Sequence, residues 1–270
     1  MNSPLPPLRM AAMAEPNVFD GAMRIAKVEY PRLDADRYRE RLEEFARRAR
    51  EAVTGRGRRA IGQFNTFFFE TLGFHGNADD YYDPRNSYLN EVIDRRTGIP
   101  ITLSTVYCEI ARRMGVPAFG VGFPGHFLVK CLADRSEIIL DCFSGRVLTR
   151  DDCRELLDSM QAGPLPLSDE MFAIASPRDI LSRMLNNLRR IHAGRREFPR
   201  AIRWIEMEME LRPGEPHPYR DRGMLYVQTE EFGKAMADLE RYARLLPAAP
   251  DLPQVREQLK LLGKLLSHLN

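Results

Sequence analysis

Residues 98–119 read GIPITLSTVYCEIARRMGVPAF, and their apolar side chains recur at helical spacing. The stripe consists of Leu103, Val106, Tyr107, Ile110, Ala111 and Met114. This spacing predicts an amphipathic helix with one buried face. Gly115 is typical of a helix end, and Pro117 cannot continue the helix. The residues that follow predict short, mostly buried strands over 118–121, 127–132 and 138–142.

Two motifs in the strand region carry ionisable side chains, GHFLVK at residues 125–130 and IILDCF at 138–143. The order of helix, Gly-x-Pro corner, strand His and strand Asp resembles the transglutaminase-like superfamily. In that superfamily a Cys at a helix N-terminus, a His and an Asp form a thiol triad on an α+β fold of the papain-like thiol-protease type. The resemblance places His126 and Asp141 in the triad. It places Pro100, counted back from the end of the helix, where the nucleophilic Cys is expected.

Pro100 brings no acid–base or nucleophilic group to this position. It does suit the first turn of a helix, where a missing N–H costs nothing. A replacement nucleophile has to lie near the same end of the helix. Cys108 is excluded, because a rise of about 1.5 Å per residue puts it roughly 12 Å further along the axis. Thr102 and Ser104 remain candidates, since a hydroxyl activated by a neighbouring His base can act as a nucleophile.

A polar, turn-rich segment precedes this helix and reads HGNADDYYDPRNSYLNEV at residues 75–92. Its density of Asn, Tyr and Asp marks a candidate recognition surface beside His126. The predicted binding residues are Tyr82, Asp83, Arg85, Asn86, Tyr88, Asn90, Glu91 and Phe123. Ser87 is placed to cap the helix that follows. The carboxylates do not match a calcium loop and the four cysteines form no CxxC pair, so the sequence predicts no metal site and no cofactor.

The C-terminal part of the chain contains a repeat with a period of 34 residues. The matching pairs are Phe198 and Phe232, Ala201 and Ala235, Ile205 and Leu239, Leu211 and Leu245, and Pro213 and Pro247. This period, with its F-x-x-A motif and terminal Pro, resembles the tetratricopeptide repeat. Gly223 suits the position at which the two helices of a repeat pack closely. The repeats predict an all-α helical unit.

The segment DDYYDPRNSYLNEVIDRRTGIPITLS at residues 79–104, together with these repeats, resembles the bacterial SirB-type family of transglutaminase-like proteins. That resemblance covers residues 24–246. It implies a transglutaminase-like α+β domain followed by an all-α helical-repeat domain. The predicted organisation is a disordered leader over 1–23, the α+β domain over 24–162, a linker over 163–176 and tetratricopeptide-like repeats over 177–270.

The composition is that of a globular protein, with 44% hydrophobic residues, 29% charged residues and a net charge of +2. No apolar run reaches the about 18 residues of a membrane span, and prolines fall where a signal peptide needs its apolar core. These features predict a cytoplasmic protein with no membrane partner. Arginines are concentrated at Arg47, Arg48, Arg50, Arg56, Arg58 and Arg59. Because no aromatic residues interleave them, a solvated surface is favoured over a nucleic-acid site.

Two functional hypotheses of different class follow. The favoured one is a non-catalytic protein-interaction or regulatory module, in which a groove around His126 binds a protein or peptide without cleaving it and the repeats offer a second surface. The alternative is a hydrolase or acyl transferase that uses Thr102 or Ser104 with His126 and Asp141. The sequence indicates no particular oligomeric state.

Overall fold

A computed structural model describes residues 16–134, 136–160 and 165–269. They fall into two compact units. The N-terminal unit ends at Met184, and the C-terminal unit begins at Leu185. Helices and small sheets make up the first unit, whereas the second consists of helices. The predicted α+β domain followed by an all-α repeat domain is therefore confirmed.

The N-terminal unit begins with α1 (Val18–Glu29) and α2 (Ala35–Ala52), which start at the side-chain caps Asn17 and Asp34. Phe19, Met23 and Ile25 of α1 are buried, so this helix belongs to the core. The sequence predicts a disordered leader over residues 1–23, but ordered helix starts at Val18. The rest of that leader, through residue 15, lies outside the described residues.

The third helix, α3 (Gly57–Thr66), continues into a π-helical turn at Phe67–Thr71. Phe64, Phe67 and Phe68 are buried along this element. The wider π turn places two successive phenylalanines, 67 and 68, against the core. These phenylalanines therefore belong to the core.

The segment that leads to the candidate site contains α4 (Leu89–Arg95) and α5 (Pro100–Met114). Two short parallel strands flank α4, β1 (His75–Gly76) and β2 (Thr97–Gly98). The predicted stripe of α5 is buried at every position from 103 to 111 that the spacing assigns to it. Helix α5 ends at Gly115, whose φ of 77° lies in the left-handed region.

A four-stranded antiparallel sheet follows, in the order β3-β4-β5-β6. Its strands are β3 (Ala118–Val121), β4 (Leu128–Ala133), β5 (Ser136–Asp141) and β6 (Arg146–Leu148). The register pairs Val129 with Leu140 and Asp141 with Arg146. Helix α5 packs against β3 and β4. The sequence predicts the first three strands within about two residues but not β6.

After the sheet, α6 (Arg150–Met160) begins with a capping box, in which Thr149 and Asp152 bond reciprocally. The described part of the predicted linker, from residue 165, belongs to the N-terminal unit. It contains a 3₁₀ turn at Asp169–Phe172 with a buried Phe172, and Ala175 N–H donates to the Gly120 carbonyl at 2.8 Å. These contacts add an irregular edge to β3.

Helix α7 (Pro177–Gly194) starts at Ser176 and runs past the boundary between the units. The C-terminal unit continues with α8 (Phe198–Leu211), α9 (His217–Gln228), α10 (Phe232–Leu245) and α11 (Leu252–Leu269). Consecutive helices from α8 to α11 pack in pairs. A Cβ added at Gly223 would lie 2.9 Å from Leu239 Cγ, as the repeat pattern predicts for a close helix crossing.

Candidate functional site: a His–Asp pair

His126 and Asp141 form a hydrogen-bonded pair, with His126 Nε2 3.0 Å from Asp141 Oδ1. His126 precedes β4, and Asp141 is the last residue of the adjacent strand β5. A tight turn over residues 123–126 fixes the His backbone, since His126 N–H donates to the Phe123 carbonyl at 3.1 Å. Gly125 has a φ of +69°, as a type II turn requires at its third residue. The structure therefore brings the two predicted residues together.

Asp141 is held as a carboxylate in a largely buried position. Its Oδ1 also accepts the Phe143 backbone N–H at 2.9 Å. Burial raises the pKa of this carboxyl, but the hydrogen bond and charge of His126, together with Ser144 and Phe143, outweigh it and hold the pKa below its usual range. Nδ1 of His126 makes no hydrogen bond to the part of the chain that the structure describes.

Arg183 on α7 clamps the turn that carries His126. Its guanidinium donates to the His126 carbonyl at 2.8 Å and to the Phe123 carbonyl at 3.1 Å. Burial lowers the pKa of Arg183, with Asp179 opposing that effect. No local sequence signal identifies this residue, because its partners lie about sixty positions earlier in the chain.

Pro100 occupies the first turn of α5, and Ile99 is the N-cap. It is buried. A residue at this position has no intrahelical acceptor for an N–H, so proline is accommodated without loss. The position that the resemblance assigns to the nucleophile is thus filled by a side chain without reactive atoms.

The hydroxyl of Thr102 is fully buried and already bonded. Its Oγ1 donates to the Asn86 carbonyl at 2.7 Å and accepts the Ile99 N–H at 3.2 Å. It therefore closes the N-terminus of α5 and makes no hydrogen bond to His126. Sequence reasoning missed this capping role.

The hydroxyl of Ser104 is also fully buried, and its Oγ makes no hydrogen bond of standard geometry to the described residues. It lies near the Cys142 thiol, whose pKa it lowers against the stronger raising effect of burial. Ser104 also lines a cavity of about 300 Å³ together with Cys108 and Phe127. Neither candidate hydroxyl is hydrogen-bonded to the His–Asp pair.

The four cysteines are free thiols, and burial raises the pKa of each one. Cys131 reaches a pKa of about 11, despite a hydrogen bond to Tyr107 that lowers it. Cys108 is partly exposed as a residue. Protein atoms nevertheless surround its thiol, and this burial raises the thiol pKa well above the usual value. An attacking thiol has to ionise near neutral pH, so none of the four resembles an activated thiolate.

Most side chains of the predicted recognition surface are buried. Those with little or no exposure are Asp83, Asn86, Tyr88, Asn90 and Phe123. Asn86 organises the segment, since its Nδ2 donates to the Asp80 and Tyr81 carbonyls at 2.8 and 3.3 Å. Phe123 packs against Phe172 with ring centroids 5.6 Å apart. These side chains pack in the interior and do not themselves form an exposed binding surface.

The remaining predicted binding residues lie in different places. Tyr82 and Arg85 are exposed, and Arg85 pairs with Asp83 at 2.7 Å. Glu91 and Asn90 line a groove of about 570 Å³ whose lining contains no residue of the His126 turn. Ser87 does not cap α4, because Tyr88 is the N-cap residue and the Ser87 hydroxyl is buried without a hydrogen bond to the described chain.

A partly exposed aromatic cluster lies next to the His–Asp pair. Tyr81 stacks edge-to-face on Tyr82 and Phe143, with ring centroids 5.3 and 5.8 Å apart. Phe143 is also the residue whose backbone N–H binds Asp141. Tyr81 and Phe143 were not among the predicted binding residues. Exposed aromatic side chains are common anchors of protein interfaces.

Two arginines of the arginine-rich segment pair with carboxylates in the described structure. Arg47 pairs with Glu51 at 2.9 Å and Arg50 with Glu43 at 3.1 Å. The backbone N–H of Arg58 donates to Asp134. Over the ranges that the structure describes, no group of three or more His, Cys, Asp or Glu side chains has metal-binding geometry, and no described helix is long and apolar enough to cross a membrane.

An α+β unit with a His–Asp pair at the edge of its sheet, followed by helical hairpins, is the arrangement of a papain-type domain with an attached helical repeat. The model of the transglutaminase-like superfamily matches residues 36–186. A tetratricopeptide-repeat model matches residues 188–260. The chain belongs to the transglutaminase-like superfamily. The two matches meet beside the boundary between the compact units.

Curated relatives include a UPF0162 protein of Xylella fastidiosa, 38% identical over 244 residues, with 88% of this chain and 87% of that protein covered. A UPF0162 protein of Pseudomonas aeruginosa is 33% identical, with 93% and 90% covered. The human F-box only protein 21 is 34% identical over 146 residues, which are 51% of this chain and 22% of that protein. No solved structure matches the chain significantly.

Proposed function

We propose that this chain is a non-catalytic, SirB-type member of the superfamily that acts in the cytoplasm as a protein- or peptide-interaction module. The observation that carries the proposal is the state of the α5 N-terminus. Pro100 fills the nucleophile position, and the Thr102 hydroxyl is bonded to Asn86 and Ile99. The thiols add to this support, since burial raises every one of their pKa values.

In this proposal the His–Asp pair has a structural role. The hydrogen bond from His126 to Asp141 ties the start of β4 to the end of β5, and Arg183 fixes the same turn from α7. The neighbouring aromatic cluster of Tyr81, Tyr82 and Phe143 supplies the contact surface. Such rings bury large apolar areas at small entropic cost when a partner binds.

The repeat unit supplies a second interaction surface in the same proposal. Tetratricopeptide repeats stack helical hairpins into surfaces that bind peptides and proteins. A chain with two such surfaces is suited to a scaffolding or regulatory role. Its partner is then a protein or peptide rather than a small metabolite.

A hydrolase or acyl transferase is the second candidate, and one observation favours Ser104 over Thr102 as its nucleophile. The Ser104 hydroxyl has no standard hydrogen bond to the described residues, and Ser104 lines the cavity of about 300 Å³. For catalysis this hydroxyl has to reach His126, so the start of α5 has to move.

Reactivity profiling separates the two candidates. The wild type and the His126→Ala variant are treated with hydroxyl- and thiol-directed electrophiles, and adducts are mapped by mass spectrometry. His75→Ala is the matched control, because His75 is exposed and hydrogen-bonds Gly73 and Thr97 rather than a carboxylate. The proposal expects identical adduct patterns in all three proteins. An adduct on Thr102, Ser104 or a cysteine that disappears only in His126→Ala contradicts it.

A further inference from the structure

Arg96 has an unusual backbone position. It follows the last residue of α4 with a φ of 61° and ψ of 18°, in the left-handed region. Glycine or asparagine is usual at such a helix end, because a Cβ is disfavoured there. The dipole of α4 favours a cation at this end, but the Arg96 guanidinium makes no hydrogen bond to the helix carbonyls. The position therefore calls for another use of the arginine side chain.

Two aromatic rings hold the guanidinium of Arg96. Its Cζ lies 4.1 Å from the Phe45 ring centroid and 4.9 Å from that of Phe74. Both rings are buried. Ring contacts of this kind stabilise the charge through the faces of the guanidinium and leave its N–H groups, which lie in the plane, unused.

Those N–H groups find no partner within the described chain. The Arg96 guanidinium forms no ion pair or hydrogen bond with the described residues, and its Nη1 is buried without an acceptor. A buried donor without an acceptor is costly, and an arginine offers five donors in a fixed plane. The site thus has donor capacity that these residues do not satisfy.

Arg48 is a second guanidinium without an ion pair in the described chain, and its charge acts on Arg96. It lies on α2 one turn after Phe45, and its Cζ is 5.9 Å from the Phe67 ring centroid. Among the residues that the structure covers, no carboxylate lies within ion-pairing distance of it. Burial first, and then the charges of Arg41 and Arg48, lower the pKa of Arg96 to about 10, while Asp94 and Glu44 oppose this.

The two acidic residues whose charges act on Arg96, Asp94 and Glu44, form no ion pair with it. Asp94 is taken by the Arg41 guanidinium and by the Tyr38 hydroxyl, which donates to it at 2.6 Å. Glu44 affects the Arg96 pKa less than Asp94 does, and it forms no ion pair with the described arginines. Two positive charges therefore remain on a surface backed by phenylalanine rings.

We propose that Arg96 and Arg48 form a binding site for an oxyanion, the carboxylate or phosphate group of a small ligand. A guanidinium matches either group with two parallel hydrogen bonds. The aromatic backing holds the Arg96 donors in place before the anion arrives. This site uses none of the residues of the His–Asp pair and stands independently of the proposed interaction role.

Thermal unfolding in the presence of anions tests the site, because a ligand that binds the folded protein raises its Tm. The full chain is titrated with sodium phosphate and, separately, sodium acetate, each against sodium chloride of equal ionic strength. The variants are Arg48→Gln and Arg96→Met, which keeps an unbranched side chain for packing and leaves the backbone strain unchanged. Arg47→Gln is the matched control, since Arg47 is paired with Glu51 on the same helix.

The expected result is an anion-specific rise in Tm for the wild type and Arg47→Gln. The apparent Kd should weaken about tenfold or more in Arg48→Gln and Arg96→Met, the loss expected when a charged hydrogen bond is removed. A response to phosphate alone identifies a phosphate site, and a response to acetate as well identifies a carboxylate site. Equal shifts in the wild type and Arg48→Gln, or no anion-specific shift, overturn the proposal.

Glu44→Gln provides a second, independent readout that does not depend on the folding of Arg96→Met. Glu44 is a carboxylate whose charge acts on Arg96 and raises its pKa. Its neutralisation should leave the apparent Kd for the anion unchanged or tighten it. A weaker affinity in Glu44→Gln contradicts the site.

Discussion

His126→Ala should destabilise the N-terminal unit, because it leaves Asp141 as a buried carboxylate with one hydrogen bond fewer. The Asp141 side chain is 9% exposed and accepts His126 at 3.0 Å and Phe143 N–H at 2.9 Å. A hydrogen bond to a buried charged group contributes about 1–3 kcal/mol. At about 2–4 °C of Tm per kcal/mol for a unit of this size, the expected loss is roughly 2–12 °C.

Thermal unfolding followed by circular dichroism measures this loss for His126→Ala, Asp141→Asn and the double variant. The pair interaction appears as non-additivity, since the double variant should lose less than the sum of the two single variants. His75→Ala is the control, and as an exposed substitution it should change stability by no more than about 0.5 kcal/mol.

The stability that Asp141 contributes should depend on pH in a definite direction. The pKa of Asp141 is lowered in the folded protein, so folding favours its charged form. The corresponding stability is present at neutral pH and is lost as the pH falls through the folded-state pKa, which lies below the usual aspartate value. The difference in Tm between the wild type and Asp141→Asn should therefore be largest near pH 7 and shrink in acid.

Additive losses in the double variant, or a His126→Ala protein that melts with the wild type, would refute this reasoning. Either result means that the hydrogen bond between His126 and Asp141 does not contribute to stability in solution. A Tm difference that grows as the pH falls would contradict the direction assigned to the Asp141 pKa.

Gly125→Ala should cost about 1–2 kcal/mol of unfolding free energy in urea, because φ is +69° at this turn; Gly62→Ala, on an open helix surface, should be neutral or stabilising. Gly223→Ala should cost about 1–3 kcal/mol, because the new Cβ would lie 2.9 Å from a leucine of the next helix. Gly233→Ala, with open space around it, is its control, and equal melting of the two would refute the close crossing. Thr102→Val should cost about 1–3 kcal/mol, because it leaves the buried Ile99 N–H without its acceptor; unchanged stability would free this hydroxyl for a catalytic role.

The elements that the sequence predicts are those whose signals are local. The apolar spacing of α5 and the left-handed glycine at its end depend on residues within one or two turns. The 34-residue period predicts the repeat because its contacts are also local in sequence: each hairpin packs mainly on its sequence neighbour. Such features survive in the structure because tertiary contacts reinforce them.

The features that the sequence does not predict depend on distant partners. Arg183 binds carbonyls from another part of the chain, and backbone acceptors leave no mark on residue identity. The segment before α4 has a composition typical of an exposed loop, yet Asn86 is completely buried because it satisfies backbone groups of its own segment. Composition alone does not distinguish an amide side chain that hydrogen-bonds to water from one that hydrogen-bonds to backbone groups in the interior.

The hydrogen bonds of Asn86 affect the association kinetics of any partner that binds the neighbouring turn. Its side chain holds the carbonyls of Asp80 and Tyr81, and its own carbonyl accepts the Thr102 hydroxyl. These hydrogen bonds hold the backbone of the exposed residues 78–82 in place. The entropic cost of ordering this segment is therefore met during folding. A partner that contacts Tyr81 and Tyr82 should associate in a single phase whose rate rises linearly with concentration, without a slow rearrangement step.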